Sequence, residues 1–77
     1  MIYLFEITPE TINLGDAAIL TWDVVNATSV FIDNGIGNVG LNGSWAVQPL
    51  ESTTYTLTAS HSNGAIRSWV VELTVVE

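Results

Sequence analysis

The chain has no cysteine, no lysine and very little positive charge. Arg67 is its single basic residue of the Lys and Arg type, against eight acidic residues in 77, and the formal net charge is -7. Without cysteine, neither a disulfide framework nor a cysteine-ligated zinc site can form. Without basic side chains to neutralise phosphates, nucleic acid is excluded as a partner. Membrane insertion is not expected either, because no apolar run approaches the roughly 18–20 residues that a span requires.

What the chain does have is alternation of apolar and polar residues with a period of two. This is the pattern of half-buried β-strands, and no stretch shows the apolar period of a helix. Hydrophobic residues make up 48% of the chain, which favours a packed domain over disorder. The pattern predicts strands at residues 2–8, 17–25, 28–33, 39–41, 44–48, 53–60 and 65–76.

Three Asn-Gly pairs separate alternating runs, at Asn34-Gly35, Asn42-Gly43 and Asn63-Gly64. Both residue types tolerate positive φ, so each pair predicts a hairpin turn. Short strands at even spacing predict one all-β domain over residues 1–77, folded as an antiparallel sandwich of about seven strands. The residues expected to form its core are Leu20, Trp22, Val30, Ile32, Tyr55, Leu57, Trp69, Val71 and Leu73.

Several short motifs carry a family resemblance, chiefly Leu20-Thr21-Trp22, Asn26-Ala27, Gly35-Ile36-Gly37 and the run from Thr53 to Thr58. With them the chain resembles a bacterial immunoglobulin-like domain, of the kind found in tandem within large surface or secreted proteins. The resemblance implies an immunoglobulin-like sandwich cut from a longer chain, with a non-catalytic spacer or adhesion role. It also implies neighbouring domains of that chain as partners and an extracellular or cell-surface location.

The sequence departs from the antibody pattern because it has no disulfide between its sheets. Leu20 and Leu57 would occupy roughly the positions of the two cysteines, and Tyr55 lies where a tyrosine corner would be. The family shares no catalytic or binding residues, so the resemblance assigns no functional residue and no cofactor to this chain.

Residues 35–40, Gly35-Ile36-Gly37-Asn38-Val39-Gly40, match the GxGxxG spacing of a dinucleotide-binding loop. That chemistry needs a helix N-terminus directly after the glycines to hold the pyrophosphate. Here residues 41–44 contain another turn signal and no helical pattern follows. The six residues are therefore predicted to form the turn of a β-hairpin.

A ligand site remains an alternative, and its candidate residues are Trp45, Asp33, Asn34 and Asn38. Trp45 is the tryptophan closest to a loop, and an exposed indole can stack on a sugar ring. The three polar residues could coordinate calcium with Asp16 or Asp23, but their spacing is not that of an EF-hand and such residues commonly cap turns. We predict no metal. The alternative function is a carbohydrate- or protein-binding accessory module, such as one attached to a polysaccharide-degrading enzyme.

Catalysis is not predicted. His61 lies between Ser60 and Ser62 beside a turn, whereas a nucleophile needs a rigid elbow and an oriented base. The chain is expected to be no enzyme.

Overall fold

The computed structural model describes the backbone of residues 2–77 and the side chains of residues 4–77. These residues form strands and turns and no helix, which confirms the all-β prediction. The strands are β1 (Ile2–Thr8), β2 (Thr11–Asn13), β3 (Ala18–Val24), β4 (Ser29–Ile32), β5 (Gly37–Val39), β6 (Asn42–Val47), β7 (Thr53–Ser60) and β8 (Ile66–Val76). Each of the seven predicted segments overlaps one strand, and β2 is additional to them.

The strands form two sheets in a sandwich-like arrangement. The smaller sheet has the order β1-β3-β6, and the larger has the order β2-β8-β7-β4-β5. The expectation of a wholly antiparallel sandwich is wrong at one place, because β2 runs parallel to β8. The chain leaves the smaller sheet after β1, where Pro9 cannot donate a ladder hydrogen bond. It then joins the other sheet, where the amide of Thr74 donates to the carbonyl of Glu10 at 2.9 Å.

The core lies between the sheets and contains the inward-facing side chains of the alternating strands. Each fully buried aliphatic side chain contributes roughly 1.5–3 kcal/mol relative to an exposed one. The buried residues are Phe5, Ile7, Ile12, Ala18, Leu20, Trp22, Val24, Val30, Ile32, Tyr55, Leu57, Ala59 and Leu73.

Two residues expected in the core are not fully buried. Val71 is partly buried and packs against the core, whereas Trp69 is 53% exposed. Trp69 does lie opposite the buried Leu57 on β7. However, β2 pairs only with residues 74–76 of β8, so the other flank of Trp69 has no neighbouring strand among the described residues. The prediction that Trp69 is a core residue is therefore wrong. Periodicity shows which face of a strand a residue occupies, but it does not show how close the residue lies to the edge of the sheet.

The prediction of a hairpin turn at Asn42-Gly43 is also wrong. These residues begin β6 and pair with Asp23 and Trp22 of β3, so the chain passes from the larger to the smaller sheet just before them. A Cβ on Gly43 would lie 3.2 Å from a carbon of the Trp22 ring. The indole nitrogen of Trp22 donates to the carbonyl of Gly40 at 3.0 Å. Gly43 therefore allows the Trp22 ring to pack closely against the backbone and does not form a turn.

Candidate binding groove beside the β4–β5 turn

The GxGxxG segment is part of a β-hairpin. Residues 33–36 form the turn, and β5 starts at Gly37 and pairs antiparallel with β4. Asn34 and Gly35 have φ values of 61° and 84°, the double positive φ that hairpin turns of type I′ require. The prediction of a hairpin is confirmed, but only Gly35 and Ile36 of the six residues lie in its turn, because Gly37–Val39 form β5. No helix follows to hold a phosphate among the described residues.

The side chains of Asp33 and Asn34 attach this turn to β7. The amide of Thr56 donates to Asp33 Oδ1 at 2.9 Å, and the Asp33 amide donates to the Thr56 carbonyl at 3.2 Å. Asn34 Nδ2 donates to Asp33 Oδ1 at 3.0 Å and to the Thr54 carbonyl at 2.8 Å. Asp33 Oδ1 and the Asn34 side-chain amide nitrogen are therefore used to hold the hairpin against its neighbouring strand.

The structure does not bring together a calcium site at this turn. Asn38 lies on β5 opposite Phe31, whose side chain is 47% exposed on the outer face of the sheet. The side chain of Asn38 lies on the same outer face and therefore points away from the groove described below. Within the described residues, no three Asp, Glu, His or Cys side chains are grouped so that they could hold a metal ion.

His61 is used within its own turn. Its Nδ1 accepts a hydrogen bond from the amide of Asn63 at 3.2 Å, and its carbonyl accepts one from the amide of Gly64 at 2.9 Å. The histidine therefore orders the β7–β8 hairpin, as a turn residue does.

Two of the four predicted ligand residues, Trp45 and Asn34, line the same groove. It has a volume of about 350 Å³ and lies between β6 and the β4–β5 turn, with Tyr55 of β7 in its lining. Trp45 is opposite Leu20 on β3, so its side chain is on the inner face of the smaller sheet. Because β6 is an edge strand, the indole is covered on one flank only and remains 47% exposed.

Tyr55 is a groove residue that sequence reasoning assigned to the core alone. The residue is only 3% exposed, yet its hydroxyl takes part in no side-chain hydrogen bond found among residues 4–77. No fully enclosed side-chain nitrogen or oxygen in that range is without a partner, so this hydroxyl is in contact with solvent, and the residue lines the groove. The one available signal is a phenol at a position where the inward residues that follow on the strand, Leu57 and Ala59, are purely apolar.

The electrostatic setting keeps the Tyr55 hydroxyl protonated. Desolvation by burial raises the pKa of the phenol above its ordinary value of 10.0, and the negative charge of Asp33 raises it further. At neutral pH the hydroxyl is therefore uncharged and can both donate and accept a hydrogen bond. The hydrogen bond to backbone that defines a tyrosine corner is not found here among the described residues.

No protein-family model, curated protein or solved structure matches this chain. The residues that the structure describes also contain no helix long and apolar enough to cross a membrane.

Proposed function

We propose that the chain is an immunoglobulin-like sandwich domain that acts as a non-catalytic structural module in a longer bacterial surface or secreted protein. The order of the strands supports this fold. Immunoglobulin domains place strands A, B and E side by side in one sheet and G, F and C in the other. The orders β1-β3-β6 and β8-β7-β4 are the same if β1, β3, β4, β6, β7 and β8 are taken as A, B, C, E, F and G.

Two core residues support the same fold. Leu20 on β3 and Leu57 on β7 are both fully buried and lie in opposite sheets. These are the strands that carry the two cysteines of antibody domains. Both leucines belong to one buried apolar cluster, and in this proposal that cluster takes the place of the covalent link between the sheets. The strand β5 beside β4 corresponds to the additional strand of the variable type.

The observation that carries the structural role is the position of the first and last strands. Ile2 at the start of β1 pairs with Val24, and Thr8 at its other end pairs with Ile19. Val76 at the end of β8 pairs with Asn13, beside the turn that leads into the Ala18 end of β3. The chain therefore enters at one end of the domain and leaves at the other, along a body of 44 × 15 × 15 Å.

Such a body adds length when copies are joined in series, which is what a spacer or adhesion stalk requires. The polar side chains of the β4–β5 and β7–β8 hairpins are used to order turns, which suits a structural role. The extracellular or cell-surface location, and neighbouring domains as partners, belong to the same proposal and come from the resemblance of the motifs.

Small-angle X-ray scattering on covalent chains of one, two and three copies tests this role. We expect the maximum dimension to grow by about 44 Å with each copy, because the ends of the domain lie on its long axis. The same copies joined by a 20-residue Gly/Ser linker are the control, since a flexible linker behaves as a random coil. Directly joined copies that fold back into a compact particle would contradict the proposal.

A binding role is the second candidate function, as in a carbohydrate- or protein-binding accessory module beside a polysaccharide-degrading enzyme. The half-exposed Trp45 in a groove favours it. Ligand pockets are commonly lined by aromatic rings together with a few polar groups, and this groove has Trp45, Tyr55 and Asn34 in its lining.

A further inference from the structure

We infer that the groove between β6 and the β4–β5 turn binds one neutral sugar ring, with Trp45 as the stacking surface and the Tyr55 hydroxyl as a polar anchor. The inference rests on the second candidate function, the binding role, and is independent of the structural role. It brings together Trp45, which the sequence marks as a candidate, and Tyr55, which it does not.

Trp45 provides the apolar part of the site. The backbone of β6 directs the indole to the inner face opposite Leu20, while the open edge of the sheet leaves 47% of the residue exposed. An aromatic face held in this way can pack against the C–H groups of a pyranose ring. The hydrogen-bonded sheet holds the backbone of the residue, so binding costs no ordering of this backbone segment.

The polar part of the site consists of groups with unused capacity beside the indole. Tyr55 lines the groove, and its hydroxyl is in contact with solvent. Asn34 and Gln48 use their amide nitrogens on the carbonyls of Thr54 and Gly15, at 2.8 Å in both cases. Their side-chain carbonyl oxygens accept no hydrogen bond from the described residues. A hydroxyl and two carbonyl oxygens match the hydroxyl groups of a sugar, which both donate and accept.

The charge of the molecule favours an uncharged ligand. The net charge is -7, and no basic side chain lines the groove, so an anionic sugar is repelled. A cation would need a carboxylate facing it, and no Asp or Glu among residues 4–77 lines the groove. The volume of about 350 Å³ is at the lower end of small-molecule sites, which suits a single ring of an oligosaccharide.

The test is an NMR titration of the ¹⁵N-labelled chain that follows the indole N–H signals. The probes are cellohexaose, maltohexaose, xylohexaose and mannohexaose, with hexagalacturonate as the anionic comparison and choline as the cationic one. We expect at least one neutral oligosaccharide to shift the Trp45 signal saturably, together with the amides of the β4–β5 turn. We expect the comparison ligands to leave that signal unchanged.

Three variants distinguish the groove from general surface binding. Trp45→Ala should weaken binding at least tenfold, and Tyr55→Phe about two- to tenfold, the value of one hydrogen bond. Trp69→Ala is the matched control, because this tryptophan is similarly exposed at 53% but lies outside the groove, and it should bind normally. The Tyr55→Phe variant keeps the buried ring, and an unchanged amide spectrum shows that each variant is folded.

The inference is overturned if no neutral oligosaccharide moves the Trp45 signal, if only choline or hexagalacturonate does, or if binding survives in Trp45→Ala. None of these results would alter the scattering of the joined copies. A failure here is thus distinguishable from a failure of the structural role.

Discussion

At the scale of single residues, two neighbouring side chains on the same face of the larger sheet have opposite environments. Leu57 on β7 and Trp69 on β8 are cross-strand partners, yet their exposures are 0% and 53%. Both have the phase of an inward residue. Leu57 has a strand on either side, whereas Trp69 has β7 on one side only. The contribution of an inward-facing residue to stability therefore depends on its distance from the edge of the sheet.

We expect Leu57→Ala to lower the free energy of unfolding by about 2–5 kcal/mol, the cost of a cavity in a closed core. Trp69→Ala should cost less, about 1 kcal/mol, since half of the side chain is already in water. Urea denaturation measures both. Total stability for this length is roughly 4–12 kcal/mol, so Leu57→Val is the milder variant if the alanine variant does not fold. Equal losses of unfolding free energy at Leu57 and Trp69 would contradict the conclusion that Trp69 lies at an edge of the sheet.

At the scale of elements, the same dipeptide has two different structures. Asn34-Gly35 forms a hairpin turn within one sheet, and Asn42-Gly43 begins a strand of the other sheet. Both pairs are preceded by alternating residues, so local propensity does not separate them. The first is held as a turn by Asp33 and β7, and the second is held extended beside β3 under the Trp22 ring.

We expect Asp33→Ala to destabilise the domain by about 1–3 kcal/mol, because the partly buried amide of Thr56 loses its acceptor. Asp33→Asn is the matched control, as its side-chain oxygen can still accept from Thr56 at nearly the same volume. Chemical denaturation compares the two. If Asn costs as much as Ala, then the hydrogen bond between the turn and β7 is not what stabilises the hairpin.

At the scale of the whole molecule, the dominant feature is unbalanced negative charge. Eight acidic residues face a single arginine, and Arg67 donates its hydrogen bond to the neighbouring carbonyl of Ile66 at 2.9 Å. Repulsion among like charges destabilises a compact state and is screened by salt. The fold is thus stabilised by packing against an electrostatic cost.

We expect the melting temperature to rise by several degrees between about 10 mM and 500 mM NaCl, as screening shortens the range of repulsion. For a domain of this size, 1 kcal/mol corresponds to roughly 4–8 °C. Differential scanning calorimetry measures the shift. Glu51→Gln, a variant at an exposed acidic residue, should respond less to salt than the parent. A melting temperature that falls or stays constant in salt would show that repulsion is unimportant here.

The sequence by itself determined seven of the eight described strands to within two residues at each end, their inward faces and two of the three Asn-Gly turns. These are properties of a single segment, since the period of two and the positive φ of Asn-Gly act over a few residues. Leu20, Leu57 and Leu73 could be assigned to the core from their phase alone, and they are fully buried.

Only the tertiary structure decided which strands lie at the edges, where the chain changes sheets and which side chains share a groove. These depend on pairing between segments far apart in the chain, such as β2 with β8 and β3 with β6. Trp45 and Tyr55 show the consequence. Each has the phase of an inward residue. Both line a groove because no further strand among the described residues covers the edge of the sheet beside β6. Non-local pairing, which no local pattern encodes, is the physical reason.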